Sequence, residues 1–177
     1  MEYFPPIPIL NYAGLKEEKK LNQIIKQICS VLYYLHQSNY IYYDLKAENI
    51  LVSESNGNPI IKIIDLGFAR NVLSDYEKNI QGTAYYIAPE LLKNEQHDFT
   101  VDFYSLGMLL YRIVYSKFPF SSDVELDIYK AHIEEEFVLG SSIYSKKLIN
   151  VISKLIKKNP EDRYKNALQI ILDLQLP

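Results

Sequence analysis

The sequence predicts a mainly α-helical domain that contains one small β-hairpin. Two observations support this fold class: apolar residues recur at three- and four-residue spacing in several long segments, and two short apolar runs flank an Asn-Gly pair. With 177 residues, the chain is long enough for one domain with its own hydrophobic core. The sequence contains no internal repeat and no low-complexity linker that would divide it.

The first long helix is predicted over residues 17–37. Its apolar positions follow the spacing of one helix face, and they are Leu21, Ile24, Ile25, Ile28, Leu32 and Leu35. The only cysteine, Cys29, lies within this pattern. We therefore expect a buried thiol, no internal disulfide and a reducing compartment.

The hairpin is predicted next, over residues 50–64. Isoleucine and valine dominate its two runs, and Asn56-Gly57 between them is a pair that favours a two-residue turn. The polar and aperiodic stretch 74–82 is typical of a surface loop. Further helices are predicted near residues 99–115, 124–134, 146–157 and 165–174.

Composition limits the possible partners and locations. A net charge of −3 and a pI near 5.6 give no broad cationic surface, so we expect no nucleic-acid partner. The apolar segment 99–120 carries Asp102, Arg112 and Lys117, and it falls short of the ~20 mostly apolar residues that span a membrane. The first ten residues lack the cationic start of a secretory leader. We expect a cytoplasmic protein without a membrane span, and the oligomeric state is not indicated.

Two motifs carry candidate catalytic groups. Residues 42–49 read Tyr-Tyr-Asp-Leu-Lys-Ala-Glu-Asn, and residues 65–67 read Asp-Leu-Gly directly after an apolar run. Phosphoryl transfer requires metal ligands, a carboxylate near the attacking hydroxyl and a cation near the transferred group, and these residues supply a candidate for each. The first stretch resembles the catalytic loop H-R-D-L-K-P-E-N of the eukaryotic protein kinase family, and the second resembles its D-F-G triplet. The lysine of the loop is typical of the serine/threonine type.

Later segments extend the same resemblance. Residues 82–90 are similar to the family's G-T-x-x-Y-x-A-P-E segment, and residues 102–107 are similar to D-x-W-S-x-G. The resemblance implies that Glu90 pairs with a distant arginine, for which Arg163 is the candidate. It also implies that Asp102 is a buried carboxylate that accepts hydrogen bonds from the backbone of the catalytic loop.

The resemblance assigns roles to individual residues. Asp44 would accept or orient the proton of the substrate hydroxyl, and Lys46 would lie beside the γ-phosphate. Asp65 and Asn49 would bind Mg²⁺ through oxygen atoms. Thr83 would hydrogen-bond toward Asp44 and Lys46 as the fourth member of the catalytic set. The residues expected to contact the cofactors, ATP and magnesium, are Glu2, Phe4, Lys46, Glu48, Asn49, Leu51 and Asp65.

On this resemblance, residues 1–177 form a partial protein kinase domain that contains the hinge and the C-terminal lobe, with the N-terminal lobe absent. The sequence before Asp44 has no Gly-rich loop and no V-A-I-K lysine. The expected function is transfer of the ATP γ-phosphate to serine or threonine of a protein substrate. The alternative is a non-catalytic kinase-like fragment that acts as a binding or regulatory module. Tyr42 and the run Asp-Leu-Gly-Phe-Ala suggest the calcium/calmodulin-dependent kinase group.

Some positions depart from the family pattern. Tyr43 replaces the arginine that receives an activation-loop phosphate, so we expect no dependence on such phosphorylation. Ser74 and Tyr76 are either phosphorylation sites or ordinary hydroxyls of a solvated loop. Glu48 suggests a preference for basic residues in the substrate.

The histidines are interpreted without a catalytic role. His36 closes the first helix and is expected to be a packed or capping residue, whereas His97 and His132 are expected at the surface. Without a second lobe above them, Leu51 and Leu66 are expected to face water.

Overall fold

The computed structural model describes residues 6–72 and 83–174, and in this part of the chain helices surround one central helix. Within these two ranges, no helix is both long and apolar enough to cross a membrane. The predicted surface loop 74–82, with Ser74 and Tyr76, lies outside the described residues, and so do Glu2 and Phe4.

The secondary structure follows the predicted order. The described elements before residue 73 are β1 (Ile7–Pro8), α1 (Glu18–Gln37), β2 (Tyr40–Ile41), β3 (Ile50–Ser55), β4 (Asn58–Ile63) and β5 (Arg70–Asn71). Those after residue 82 are α2 (Pro89–Leu92), α3 (Thr100–Tyr115), α4 (Glu125–Glu134), α5 (Lys146–Leu155) and α6 (Ala167–Leu174). All five predicted helices are therefore present, and α6 begins two residues later than the pattern suggested.

Helix α1 buries the face that its apolar spacing predicted. Leu21, Ile24, Ile25, Ile28 and Leu32 are inaccessible to solvent, and so is Cys29. Burial raises the pKa of the Cys29 thiol to about 12, so this cysteine is a protonated, inert core residue. The expected buried thiol is confirmed.

The predicted hairpin is β3 and β4, which pair antiparallel with Ile50 opposite Ile63. Asn56 and Gly57 form its turn with φ of 52° and 76°, the left-handed values that a tight two-residue turn requires. Gln27 of α1 joins strand β4 at two points, because its amide donates to the Pro59 carbonyl at 2.9 Å and accepts from the Ile61 N–H at 3.1 Å. The hairpin is thereby fixed against α1.

Two further strand pairings were not predicted. β1 pairs antiparallel with β3, and β2 pairs antiparallel with β5. Each added strand has only two residues, so it is too short to show an alternating pattern in the sequence.

Helix α3 is the core of the described body, and all but three of its sixteen residues are buried. Gly107 lies where α3 meets the end of α5. A Cβ at this position would lie 2.6 Å from Ile156 Cγ2 and 2.8 Å from Leu155 Cβ, so only glycine permits this close packing.

Candidate active site

Asp102 on helix α3 anchors the loop between β2 and β3. Asp102 is fully buried, and its carboxylate accepts the backbone N–H groups of Tyr42 and Tyr43, each at 2.9 Å. Nε2 of His36 lies 2.8 Å from the same carboxylate. These three donors offset the cost of burying the charge. The predicted support from Asp102 is confirmed, and the packed residue His36 has an additional role as its partner.

Tyr43 adopts a backbone conformation that is unfavourable for an aromatic residue. Its φ is 65°, in the left-handed region, and the two hydrogen bonds to Asp102 hold the backbone there. The buried Tyr43 hydroxyl lies 2.9 Å from Nε2 of His97. His97 is accordingly half-buried and not a free surface residue. The sharp turn directs the next side chain, Asp44, toward the site.

Asp44 is the centre of a cluster of four polar residues. Its Oδ1 accepts the Thr83 hydroxyl at 2.9 Å, and its Oδ2 accepts the Asn49 amide at 2.8 Å and lies 2.7 Å from Lys46 Nζ. Lys46 also donates to the Thr83 hydroxyl at 3.0 Å. The predicted contacts of Thr83 with Asp44 and Lys46 are therefore confirmed. Asp44 is 2% exposed, so these charge-assisted bonds lie in a poorly solvated environment.

The hairpin places Asn49, just before β3, and Asp65, just after β4, at the same end of its two strands. The Ile64 N–H donates to the Asn49 carbonyl at 2.9 Å, which continues the pairing of β3 with β4 by one step. Asp65 follows with φ of 64°, and its Oδ1 accepts the Gly67 N–H at 2.9 Å. A Cβ on Gly67 would lie 2.9 Å from that same oxygen. A side chain at position 67 would therefore push the carboxylate away from the N–H that it accepts.

Asp65 and Asn49 carry oxygen atoms that suit a hard divalent cation. Asp65 is solvent-exposed and offers carboxylate oxygen. The Asn49 nitrogen is turned to the Asp44 carbonyl and carboxylate, which leaves its amide oxygen as the atom able to meet a cation. Magnesium commonly takes one or two protein oxygens and completes its shell with water and phosphate. Asn49 and Asp65 can therefore serve as the protein ligands of a magnesium ion. The described residues contain no group of three or more His, Cys, Asp or Glu that could enclose a metal ion.

The segment from Thr83 to Pro89 is fixed on three sides. The Ser105 hydroxyl of α3 donates to the Tyr86 carbonyl at 2.8 Å, and Nε2 of His132 lies 2.8 Å from the Ala84 carbonyl. The ring of Tyr85 stacks on Phe118 with centroids 4.4 Å apart. These contacts hold Thr83 at the position where it meets Asp44.

Glu90, which directly follows this segment, is anchored by a buried ion pair with Arg163. Both carboxylate oxygens of Glu90 accept from Arg163, at 2.6 Å and 2.8 Å. Arg163 also donates to the carbonyls of Thr100, Lys157 and Lys158, at 3.1, 2.7 and 3.0 Å. Both members of the pair are 2% exposed. The predicted partnership of Glu90 with Arg163 is confirmed.

The remaining residues predicted to contact a cofactor differ in their surroundings. Glu48 is paired with Arg112, whose Nη1 lies 2.9 Å from Glu48 Oε1. Its charge is therefore already offset, which weakens the interpretation of Glu48 as a site for basic substrate residues. Leu51 is partly exposed, and Leu66 is 57% exposed, as expected for residues that face water.

The prediction that His132 lies at the surface is wrong. His132 is fully buried between α3 and the Thr83 segment, and its Nδ1 lies 2.7 Å from the Tyr104 hydroxyl. Its position on α4, four residues after the buried Ile128, could have indicated an inward side chain. Arg112 was also missed as a site residue, although a lone arginine within an apolar helix signals a specific partner.

We predict a pH dependence of stability that comes from His132. Burial, together with the nearby Lys158 ammonium, lowers its pKa from the ordinary 6.5 to about 3. Between these values the unfolded chain binds the proton and the folded chain does not, so stability is complete above pH 6.5 and falls as the pH drops toward 3. The expected slope is at most about 1.4 kcal/mol per pH unit.

Urea denaturation between pH 7 and 5 measures this slope. His132→Gln keeps hydrogen-bonding capacity without a titrating group, so its slope is expected to be smaller, and His97→Gln serves as the half-buried control. Equal slopes for the native chain and His132→Gln would contradict the assignment.

The comparisons with known proteins agree with this fold. Residues 1–173 match the family described as protein kinase domain. The chain is 31% identical to the serine/threonine-protein kinase PknB of Mycobacterium tuberculosis over 185 residues, which covers 98% of the chain and 29% of that protein. It is 40% identical to calcium-dependent protein kinase 5 of Plasmodium berghei over 134 residues, which covers 75% of the chain and 24% of that protein. Aurora kinase A-A of Xenopus laevis is 34% identical over 147 residues, 83% of the chain and 35% of that protein.

The helical body, its hairpin and the Asp44 cluster therefore define a kinase-like domain. The chain belongs to the protein kinase family. It spans between a quarter and about a third of the length of these three curated relatives.

Proposed function

We propose that the chain is the hinge and C-terminal lobe of a serine/threonine protein kinase, which transfers the γ-phosphate of ATP to serine or threonine of a protein substrate. The observation that carries this proposal is the cluster in which Asp44 is held by Lys46, Asn49 and Thr83 at 2.7 to 2.9 Å. The serine/threonine kinases among its relatives support the same reaction class.

Asp44 would orient the substrate hydroxyl and accept its proton. A carboxylate has about four acceptor directions, and three are occupied by Thr83, Asn49 and Lys46, so one direction is left for the incoming hydroxyl. The donors also fix the carboxylate before the substrate arrives, which favours reaction through reduced reorganisation.

Lys46 would contribute positive charge to the transferred group. Its ammonium has three donors, and two of them are directed at Asp44 and the Thr83 hydroxyl. The third can meet a phosphoryl oxygen. Asn49 and Asp65 would hold magnesium through their oxygen atoms, with Glu48 and Leu51 near the nucleotide. When bound, ATP supplies the phosphoryl group and magnesium supplies the cation that neutralises its charge.

A second candidate function is a non-catalytic binding or regulatory module. Such a module needs neither the Gly-rich phosphate loop nor the V-A-I-K lysine, which these 177 residues do not contain. A place near the calcium/calmodulin-dependent kinase group stays a prediction, with the calcium-dependent relative as its support. The cytoplasmic location also stays a prediction.

Nucleotide binding tests the proposal. With magnesium and ATP at about ten times the dissociation constant, binding would stabilise the chain by about 1.4 kcal/mol and raise its melting temperature by about 3 to 6 °C. Asp65→Ala is expected to abolish this rise, whereas Asp123→Ala, which removes an exposed carboxylate elsewhere, is expected to keep it.

The outcomes separate the two candidate functions. A magnesium-dependent rise that Asp65→Ala removes supports the enzyme. A folded chain whose melting temperature does not respond to magnesium and ATP would contradict it and favour the binding module.

A further inference from the structure

A groove of about 570 Å³ lies between the segment before α1, the end of α3 and the loop before α5. Its apolar walls include Leu10, Ile113 and Ile143, and its charged residues are Lys16 and Arg112. We name it the Arg112 groove. No aspartate or glutamate is among the described residues that line it.

The Arg112 groove adjoins the candidate catalytic loop. Arg112 donates through Nη1 to Glu48 Oε1 at 2.9 Å and to the Tyr86 hydroxyl at 2.7 Å. Glu48 lies four residues after Asp44, and the Tyr86 hydroxyl in turn accepts the Ala47 N–H at 3.4 Å. One side chain therefore belongs both to the wall of the groove and to the contacts of the loop.

The position of Arg112 is fixed, but much of its donor capacity remains. Its guanidinium lies 5.0 Å above the Phe118 ring, which restrains it from a further side. Both of its hydrogen bonds use Nη1, so Nε and Nη2 have no acceptor within the described residues. A carboxylate is the group that such a planar fork binds best.

Lys16 provides the second positive charge of the groove. Its side chain is exposed, and it forms no ion pair within residues 6–72 and 83–174. Because Arg112 also offsets Glu48, the local balance of charge favours an acidic ligand over a basic one. The apolar walls suit the neighbouring side chains of a peptide, which a free anion would not use.

We propose that the Arg112 groove binds an acidic side chain of the protein substrate, so that this kinase selects serine or threonine flanked by aspartate or glutamate. The proposal rests on the proposed function for its substrate, but binding of the peptide needs no catalysis. It reverses the preference for basic residues that Glu48 suggested in the sequence.

Fluorescence anisotropy with three labelled peptides tests this selectivity without nucleotide. Each peptide has a central serine, which is flanked on both sides by glutamate, by alanine or by lysine. We expect the glutamate peptide to bind most tightly and its affinity to fall with added salt, because exposed charges are screened. Lys16→Glu is expected to weaken its binding about five- to tenfold.

Lys19→Glu is the matched control, since Lys19 is an exposed lysine three residues away that does not line the groove. It carries the same change of net charge and is expected to leave the affinity nearly unchanged. Arg112→Gln is a second variant and should reduce the preference for the glutamate peptide.

Three results would overturn the proposal: equal binding of the glutamate and lysine peptides, no binding of either, or equal losses in Lys16→Glu and Lys19→Glu. The melting response to magnesium and ATP, measured on the same Lys16→Glu protein, reports the nucleotide site separately. An acidic preference without that response would leave the groove supported and contradict the proposed enzyme.

Discussion

Asp44→Asn is expected to lower the rate of phosphoryl transfer to a protein serine by about 10²–10⁴-fold, the usual contribution of a positioned general base. The substitution keeps the shape of the side chain, but an amide cannot take the proton of the hydroxyl. It also loses the charge that attracts Lys46, which lies 2.7 Å from Oδ2 in the native chain. Transfer of labelled phosphate from ATP to a serine-containing protein measures the change.

Two controls make the result interpretable. Asp123→Asn removes an exposed charge and should leave the rate unchanged. The melting response of Asp44→Asn to magnesium and ATP should be retained, because the proposed metal ligands are Asp65 and Asn49. A rate within a factor of about three of the native value would contradict the role of Asp44.

Local patterns predicted the elements whose stability is largely encoded in one segment. Residues 17–37 show an uninterrupted apolar face, and the observed α1 buries that face. The pair Asn56-Gly57 specified the turn of the hairpin because few other residues accept positive φ at both positions. The same reasoning could not find β1, β2 or β5, since a two-residue strand exists only where a distant partner strand supplies its hydrogen bonds.

In the candidate site as well, some contacts could be predicted from the sequence and others could not. The family pattern anticipated that Asp102 supports the loop, that Thr83 reaches Asp44 and that Glu90 pairs with Arg163, and each contact is present. These positions were found because their roles are attached to recognisable motifs.

The contacts of Arg112 and His132 belong to no such motif. Arg112 contacts Glu48, which lies 64 residues away, and His132 contacts Tyr104, which lies 28 residues away. Only the packing of α3 and α4 around the Thr83 segment brings these groups together. Spacing within a helix can indicate which side chains point inward, but it cannot identify the groups that they meet.

Arg163→Met is expected to lower the free energy of unfolding by about 3–5 kcal/mol, the usual cost of leaving one member of a buried ion pair alone. The Glu90 carboxylate would lose both short contacts, and the Thr100, Lys157 and Lys158 carbonyls would lose their donor. Equilibrium unfolding in urea measures this change.

Glu90→Leu is expected to cost less, because the guanidinium left behind keeps three carbonyl acceptors. The double variant is expected to be more stable than Arg163→Met alone, since the unpaired buried carboxylate is no longer present. Additive losses would mean that the two side chains do not interact energetically. We expect non-additive losses, because the two side chains contact each other directly. The pair would then couple the Thr83 segment to the chain near α6. Loss of Arg163 should in that case also weaken the contact between Thr83 and Asp44.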